Sequence, residues 1–103
     1  MSVLLEFAMF PTDKGSSVSN YVSKVIEMIR DNCSDYKLTA MGTIVETENL
    51  SDALLIIQKA HDILEKDSER IYSSIKLDIR KNTSNRLTGK IASIESKIGS
   101  VNK

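Results

Sequence analysis

An α+β sandwich of four strands and three helices, in the order βαββαβα, is the fold class that this sequence of 103 residues predicts. Apolar residues alternate or run continuously in segments of strand length, and they recur every three or four residues in segments of helix length. The length leaves room for a single domain over residues 1–103. The order of the segments is that of two split βαβ units followed by one further helix.

The first strand and the first helix are separated by a short polar loop. Val3–Phe10 is apolar at almost every position, which is typical of a strand that is covered on both faces. Pro11 cannot donate a hydrogen bond to a neighbouring strand and ends this segment. From Val18 the apolar residues follow one face of a helix, and this pattern fades in residues 32–35, where Asn, Cys, Ser and Asp occur.

The middle of the chain is expected to form a hairpin followed by a helix. Residues 36–48 are rich in β-branched residues and are interrupted by Gly42, which favours two short strands that meet at Met41-Gly42 over one bent strand. Asn49 is a suitable N-cap for the next helix, and Asp52 lies in its first turn, where the helix dipole favours an anion. The apolar stripe of this helix comprises Leu50, Ala53, Ile56, Ile57, Ala60, Ile63 and Leu64.

The last part of the chain predicts a regular strand and a helix with a narrow apolar stripe. Between Arg70 and Arg80 apolar and polar residues alternate, with Ile75, Leu77 and Ile79 on one face. The stripe of the final helix comprises Leu87, Ile91, Ile94, Ile98 and Val101. Its heptad-like spacing is typical of a helix that meets a partner helix or a groove. The complete order predicts a ferredoxin-like βαββαβ sandwich with an additional C-terminal helix.

Composition narrows the possible function classes. Lys and Arg number 14, as do Asp and Glu, and the resulting net charge of zero argues against nucleic-acid binding, which needs a basic excess. No apolar run approaches the roughly 20 residues of a membrane-spanning helix, and the apolar N-terminus carries Glu6 without a basic leader, so we expect neither a membrane anchor nor a signal peptide. The single Cys33 and the single histidine predict no disulfide framework and no metal site, and they favour a cytoplasmic location.

Charge is distributed unevenly along the chain although its sum is zero. From Ile75 onward, seven basic residues are accompanied by two acidic ones. This asymmetry indicates either an anion site near Arg80, Lys81 and Arg86 or complementary charge between neighbouring subunits.

One face of the predicted sheet is left open, because two helices cover only the other. The first strand exposes Leu4 and Phe10 on that face, where apolar groups are costly in water, so a second copy of the protein is expected to cover them. The first and last strands are neighbours in this fold, and Glu6 is therefore expected to approach a polar set on the last strand. That set is Ser74, Lys76, Asp78 and Arg80. The face is either a solvated surface or a polar pocket, closed by a subunit interface, for a cationic or amine-bearing ligand.

Five segments of the chain resemble the thiamine-binding protein family, a group of small ferredoxin-like proteins. They occur in order and span nearly the whole chain: Phe7–Pro11, Ser17–Val22, Met41–Glu46, Ala60–His61 and Ser73–Arg80. The Met-Gly-Thr-x-x-Glu segment, combined with the Ser-x-Lys-x-Asp-x-Arg strand, is the most specific part of the resemblance. Ala40 and Thr47 depart from the Pro and Gly that are usual in the family.

The resemblance implies non-catalytic binding of thiamine or its hydroxymethylpyrimidine portion, without a cofactor, by a protein that assembles into dimers or tetramers. An aminopyrimidine pairs with carboxylates and hydroxyls, and the thiazolium ring is a fixed cation that favours acidic or aromatic neighbours. The ligand-binding residues that the matching positions imply are Ser17, Ser19, Thr43, Glu46, Ser74, Lys76 and Asp78. No residue is expected to be catalytic or to bind a metal.

Each implied residue also has a structural interpretation. Ser17 and Ser19 are suitable helix caps, Thr43 favours a strand, and Glu46 is compatible with a strand end in solvent.

The alternative function is structural, with the open sheet face and the final helix serving assembly only. An enzyme is the weakest interpretation, because no nucleophile–base pair, metal-ligand spacing or phosphate-binding loop accompanies the carboxylates.

Overall fold

A four-stranded antiparallel sheet and three helices make up the computed structural model, which describes residues 1–16 and 18–103. The elements in chain order are β1 (Ser2–Pro11), α1 (Val18–Asn32), β2 (Tyr36–Leu38), β3 (Thr43–Thr47), α2 (Leu50–Glu65), β4 (Ile71–Arg80) and α3 (Arg86–Ile98). The strands lie side by side in the order β2-β3-β1-β4. This is the ferredoxin-like arrangement with an additional C-terminal helix, so the predicted fold class is confirmed.

The hydrophobic core lies between the sheet and the pair of helices α1 and α2. The strand β1 contributes every second residue to it, as the alternation of side chains along a strand requires. The buried members are Val3, Leu5, Phe7, Met9, Val25, Ile29, Val45, Ala53, Ile56, Ala60 and Leu64. Because burial of one large apolar side chain contributes about 1.5–3 kcal/mol, this layer holds both helices on one face of the sheet.

Two local predictions in the middle of the chain are confirmed. The strands β2 and β3 pair as an antiparallel hairpin on either side of Met41-Gly42. The side chain of Asn49 accepts the backbone N–H of Asp52 at 2.9 Å, so α2 begins with a side-chain cap.

The central strand β1 is paired unequally on its two sides. Its whole length, from Ser2 to Pro11, pairs with β4, whereas only Val3 to Phe7 pair with β3. From Ala8 to Phe10, β1 therefore has no strand partner on the β3 side.

The strand β4 forms one edge of the sheet and is poorly covered on its helix-facing side. Ile75, Leu77 and Ile79 each lie opposite a buried residue of β1, yet they are 43%, 40% and 47% exposed. The cause is the position of α2, which packs mainly against β1 and reaches β4 only in part. An apolar strip is thus left at this edge.

Candidate functional site

A cavity of about 250 Å³ lies where the β2–β3 hairpin turns. Its lining consists of residues 7–10 of β1, residues 38–43 of the hairpin, and Val22, Val25 and Ile26 of α1. Apolar walls with a few polar groups are typical of small-molecule sites. We refer to this space as the hairpin cavity.

The hairpin turn is shaped by Thr39 and Gly42. The Thr39 hydroxyl donates to the Gly42 carbonyl oxygen at 2.8 Å and accepts the Gly42 N–H at 3.1 Å. A Cβ atom on Gly42 would lie 3.1 Å from the carbonyl oxygen of Phe7, which is tighter than an ordinary contact. Glycine at this position therefore lets the hairpin approach β1 closely. Met41, the preceding residue of the turn, lines the cavity and is 90% exposed.

Two kinds of polar group border the hairpin cavity. Thr43 is only 4% exposed, and its hydroxyl takes part in no hydrogen bond with another described residue, whereas that of Thr39 is used within the turn. The main chain of β1 is the second kind. Met9 has no strand partner on this side, whereas Ala8 and Phe10 direct their N–H and C=O groups toward β4. An unpaired strand edge presents N–H donors and C=O acceptors in alternation. The cavity therefore combines apolar walls with hydrogen-bonding groups.

A shallow groove along α1 adjoins the hairpin cavity. The groove shares three lining residues with the cavity and adds Ser19 and Glu27, among others. Ser19 is exposed in the first turn of α1, and Ser17 lies outside the described residues. The structure thus brings Ser19 and Thr43 to the same region.

The strand residues implied as ligand groups lie on the opposite face of the sheet. Ser74, Lys76 and Asp78 alternate along β4 and are all exposed. The Lys76 ammonium lies 3.6 Å from the Glu6 carboxylate, which confirms the predicted approach of the first strand to the last. Asp78 forms an ion pair with Arg86 at 3.0 Å. These groups make an exposed polar surface.

Glu46 also faces this side of the sheet, where it caps α3. Its carboxylate accepts the backbone N–H groups of Arg86 and Leu87, each at 3.1 Å, and the hydroxyl of Ser2. Partial burial alone would raise the pKa of Glu46, but the hydrogen bonds from Ser2, Arg86 and Leu87 outweigh it and hold the pKa below its ordinary value. The carboxylate is therefore engaged in attaching α3 to the sheet.

Arg86 is also engaged in attaching α3, so the expectation of an anion site that includes it is wrong. Its guanidinium donates to the carbonyl oxygens of Ser2 and Asp78, at 2.8 and 2.6 Å, and to the Ser2 hydroxyl at 3.0 Å. Its side chain is only 12% exposed. With its donors occupied, Arg86 ties the start of α3 to β1 and β4.

The residues implied by the resemblance therefore form two groups rather than one site. Thr43 and Ser19 belong to the hairpin cavity and its groove, while Glu46, Ser74, Lys76 and Asp78 lie on the open sheet face. The cavity residues that sequence reasoning missed are in β1 and the turn. They were detectable, because Phe7–Phe10 and Met41-Gly42 belong to the segments that carried the resemblance.

Two other groups contain metal-ligating or nucleophilic side chains. His61, Asp62 and Glu65 place three ligand atoms within 4.8 Å of one another on the solvent side of α2. Partial burial raises the pKa of the Cys33 thiol, which keeps it protonated and a poor nucleophile.

Across residues 1–16 and 18–103, no helix has both the length and the apolar character to cross a membrane.

Known proteins with similar sequences are small and of comparable length. The family model for thiamine-binding proteins matches residues 5–95. The UPF0045 protein MJ1052 of Methanocaldococcus jannaschii is 36% identical over 92 residues, which are 89% of this chain and 91% of that protein. The UPF0045 protein YqgV of Bacillus subtilis is also 36% identical over 92 residues, covering 84% of this chain and 81% of YqgV.

Solved structures share the arrangement of strands and helices described above. The crystal structure of MJ1052 superposes with a TM-score of 0.79 at 35% identity, over 90% of this chain and 95% of that one. TM0486 of Thermotoga maritima is described as a candidate thiamine biosynthesis/salvage protein. It superposes with a TM-score of 0.78 at 16% identity, over 91% of this chain and 99% of TM0486, and this likeness concerns the fold alone. Because the family model spans most of the sequence and the MJ1052 relative covers nearly its whole length, this chain belongs to the thiamine-binding protein family.

Proposed function

We propose that this protein binds thiamine, or its hydroxymethylpyrimidine portion, in the hairpin cavity and catalyses no reaction. The observation that carries the proposal is the convergence of three family-like segments on one space. Phe7–Phe10, Val22 and Met41–Thr43 are distant in the sequence and line the same cavity. The name of the family and the description of TM0486 both refer to thiamine, which supports this choice of ligand.

The size of the cavity favours one ring of the ligand over the whole molecule. Sites for drug-sized ligands usually measure about 300–1,000 Å³, and the hairpin cavity measures about 250 Å³. A single flat pyrimidine suits such a space. The thiazolium ring then extends from the mouth, beside the exposed Met41.

The polar groups of the cavity complement an aminopyrimidine. Such a ring presents an amino donor next to a ring-nitrogen acceptor, and Met9 offers its unpaired N–H and carbonyl oxygen side by side at the edge of β1. The Thr43 hydroxyl donates or accepts as the ligand requires. Hydrogen bonds made in this largely apolar space discriminate strongly against ligands that leave them unmade.

The adjoining groove suits the cationic end of thiamine. Glu27 contributes a carboxylate to the groove, and the nearby Arg30 lies 3.6 Å from the carboxylate of Asp31. A cation in the groove therefore meets one acidic group and one basic group whose charge is partly balanced. The predicted preference is for thiamine over a neutral pyrimidine, by a modest factor that decreases at high salt.

The rest of the proposal concerns the state of the protein in the cell. We propose a cytoplasmic homo-oligomer, a dimer or a tetramer, that requires no cofactor and no metal. Cys33 is a free thiol, which fits a reducing compartment. The open sheet face carries a contact between Phe10 and Tyr72, with ring centroids 5.7 Å apart, and a second copy would cover this apolar pair.

Titration calorimetry with thiamine and with hydroxymethylpyrimidine, measured separately, tests the binding. Thr43→Val keeps the approximate shape and removes the hydroxyl, so we expect the affinity to fall about tenfold, the effect of one hydrogen bond. Ser74→Ala is the matched control on the open sheet face and is expected to bind as the wild type does. Urea unfolding of both variants establishes that they are folded.

Two results would contradict the proposal at different points. Weak binding by Ser74→Ala, with normal binding by Thr43→Val, would move the site to the open sheet face. Absence of heat and of any thermal shift with millimolar thiamine and pyrimidine would refute thiamine binding itself.

The second candidate function is assembly alone, and α3 supplies the observation that favours it. Ile94 and Ile98 are 39% and 73% exposed on the outer stripe of this helix, as expected of a surface that meets a partner. Replacing each with Asp is expected to lower the mass measured by light scattering. An unchanged mass would show that the stripe is not an interface.

A further inference from the structure

Three polar side chains lie close together at the C-terminal end of α2. His61, Asp62 and Glu65 each offer one ligand atom, and these three atoms all lie within 4.8 Å of one another. The Nδ1 atom of His61 is 3.4 Å from the Oδ1 atom of Asp62 and 3.8 Å from the Oε2 atom of Glu65. The end of the helix therefore gathers one nitrogen donor and two oxygen donors.

The spacing of these atoms suits a small divalent cation. A transition-metal ion such as zinc holds nitrogen and oxygen ligands at about 2.0–2.2 Å, so two ligands of a tetrahedral site are roughly 3.3–3.6 Å apart. The separation between His61 and Asp62 lies within this range, and the separation between His61 and Glu65 slightly exceeds it. A modest rotation of the exposed Glu65 side chain would close the remaining difference.

The charge of the group also suits a cation with two positive charges. Two carboxylates and a neutral imidazole sum to a charge of −2, and the hydrogen bond from Gln58 is the main cause that lowers the pKa of Asp62 and keeps it ionised. A cation at this end of the helix interacts favourably with the negative end of the helix dipole. The last turn of α2 contains no basic residue that would fill this role, and Lys66 follows only at the C-cap.

Gln58 orients one of the two carboxylates from the preceding turn. Its Nε2 atom donates to the Oδ1 atom of Asp62 at 2.9 Å. A carboxylate oxygen has two lone pairs, so this hydrogen bond leaves the second one for a metal ion. Carboxylates that bind metals are themselves hydrogen-bonded in this way, which fixes their orientation before the ion arrives.

The donor set distinguishes between classes of cation. Imidazole is a common ligand of zinc, copper, iron and nickel, whereas magnesium and calcium prefer sites built from oxygen atoms alone. Three protein ligands leave one position of a tetrahedral ion to water. The arrangement therefore favours a transition metal over magnesium or calcium.

We infer that His61, Asp62 and Glu65 form a binding site for one divalent transition-metal ion, such as zinc, on the solvent side of α2. This site is independent of the proposed thiamine site, because no residue of α2 lines the hairpin cavity. Thiamine binding neither requires this metal nor tests its presence. The three side chains are 45%, 57% and 65% exposed, so water competes for the ion and we expect rapid exchange with solvent.

A zinc titration followed by NMR reads the site directly, because His61 is the single histidine of the sequence. The experiment uses tag-free protein in a Cys33→Ser background, so that no thiol competes for zinc. The two carbon-bound ring protons of His61 are expected to shift as zinc is added. Magnesium at the same concentrations is expected to leave them in place, and calorimetry on the same protein gives the zinc dissociation constant.

Conservative substitutions identify the oxygen ligands. Asp62→Asn and Glu65→Gln keep the size of each side chain and remove its charge, and each is expected to raise the zinc dissociation constant about tenfold or more. Asp67→Asn is the matched control, because it removes the same charge two residues beyond the end of α2 and outside the group. It is expected to change the dissociation constant by less than about twofold. Urea unfolding establishes that all three variants are folded.

Three results would each overturn the inference. Ring protons of His61 that stay in place up to about 0.5 mM zinc would show that no site of useful affinity exists. Equal weakening by Asp67→Asn and Glu65→Gln would show that zinc is attracted by the general negative charge of this surface and is not bound by these side chains. Equal shifts with zinc and magnesium would exclude a site that selects a transition metal.

Discussion

Glu46→Gln is the substitution that tests the attachment of α3 most directly. The helix begins at Arg86 after Asn85, whose backbone is left-handed (φ 54°) and whose side chain forms no capping hydrogen bond. The cap comes instead from Glu46 on β3, 40 residues earlier in the chain. A carboxamide has one acceptor oxygen where the carboxylate has two, so it must turn an NH₂ group toward Leu87 or Arg86.

The magnitude follows from the bonds that are lost. Hydrogen bonds to a charged group contribute about 1.5–3 kcal/mol each, and a helix cap about 0.5–2 kcal/mol. Because Glu46 is only half-buried, the lower end of these ranges applies, and one of its two backbone acceptor contacts is lost. We expect the free energy of unfolding to fall by about 1.5 kcal/mol, which lowers Tm by roughly 6–12 °C in a domain of this size.

Thermal unfolding and amide hydrogen exchange measure this effect in complementary ways. Exchange is expected to accelerate first in α3, since the helix buries little and is able to detach before the core unfolds. Glu48→Gln is the matched control, because Glu48 forms no hydrogen bond or ion pair with a described residue. If the amides of α3 exchange as slowly in Glu46→Gln as in the wild type, and Tm is unchanged, the capping role assigned to Glu46 is wrong.

Three further predictions rest on single contacts. The unfolded pKa of Glu46 lies near 4.5 and the folded pKa is lower. The stability that this group contributes is therefore complete above about pH 4.5 and is lost as the pH falls through the folded pKa. Urea midpoints measured between pH 3 and 7 should show this loss, and the loss should be smaller in Glu46→Gln. Gly42→Ala should lower the free energy of unfolding in urea by about 1–2 kcal/mol, because the new Cβ meets the Phe7 carbonyl. Gly89→Ala, where the new Cβ enters open space on α3, is the control and should raise that free energy by up to about 1 kcal/mol. Equal effects of the two substitutions would refute the close approach of Gly42 to Phe7. Leu5→Ala should lower the free energy of unfolding by about 2.7–5 kcal/mol, since Leu5 is fully buried, and a loss below about 1 kcal/mol would contradict its place in the core.

Most of the fold was predictable because local signals agreed with the global arrangement. The alternation in 71–80, the helical spacing from Val18, and the Asn49 cap each act over a few residues, and the structure places element ends where these signals change. The exposure of the helix-facing side of β4 was not predictable in this way. Alternation shows which residues share a face, and it contains no information on how far a helix covers that face.

The candidate site was harder to predict, because its residues meet only after the sheet has formed. Thr43 and Glu46 were grouped as neighbours in one motif, although residues three apart in a strand point to opposite faces. That rule alone would have separated the buried Thr43 from the α3 cap. The partnership of Glu46 with Arg86 spans 40 residues, and no local pattern in a single sequence indicates it.

The unpaired stretch of β1 beside the hairpin cavity has a consequence for how binding is dissected by mutation. Met9 offers its main-chain N–H and C=O there, and every amino acid except proline carries the same donor and acceptor. An alanine scan across this stretch would therefore leave the recognising atoms unchanged, even where they dominate the affinity. The same property allows a recognition edge to persist while the side chains around it diverge. Replacement of a single backbone amide by an ester, which removes one N–H, is the substitution that would reveal its contribution.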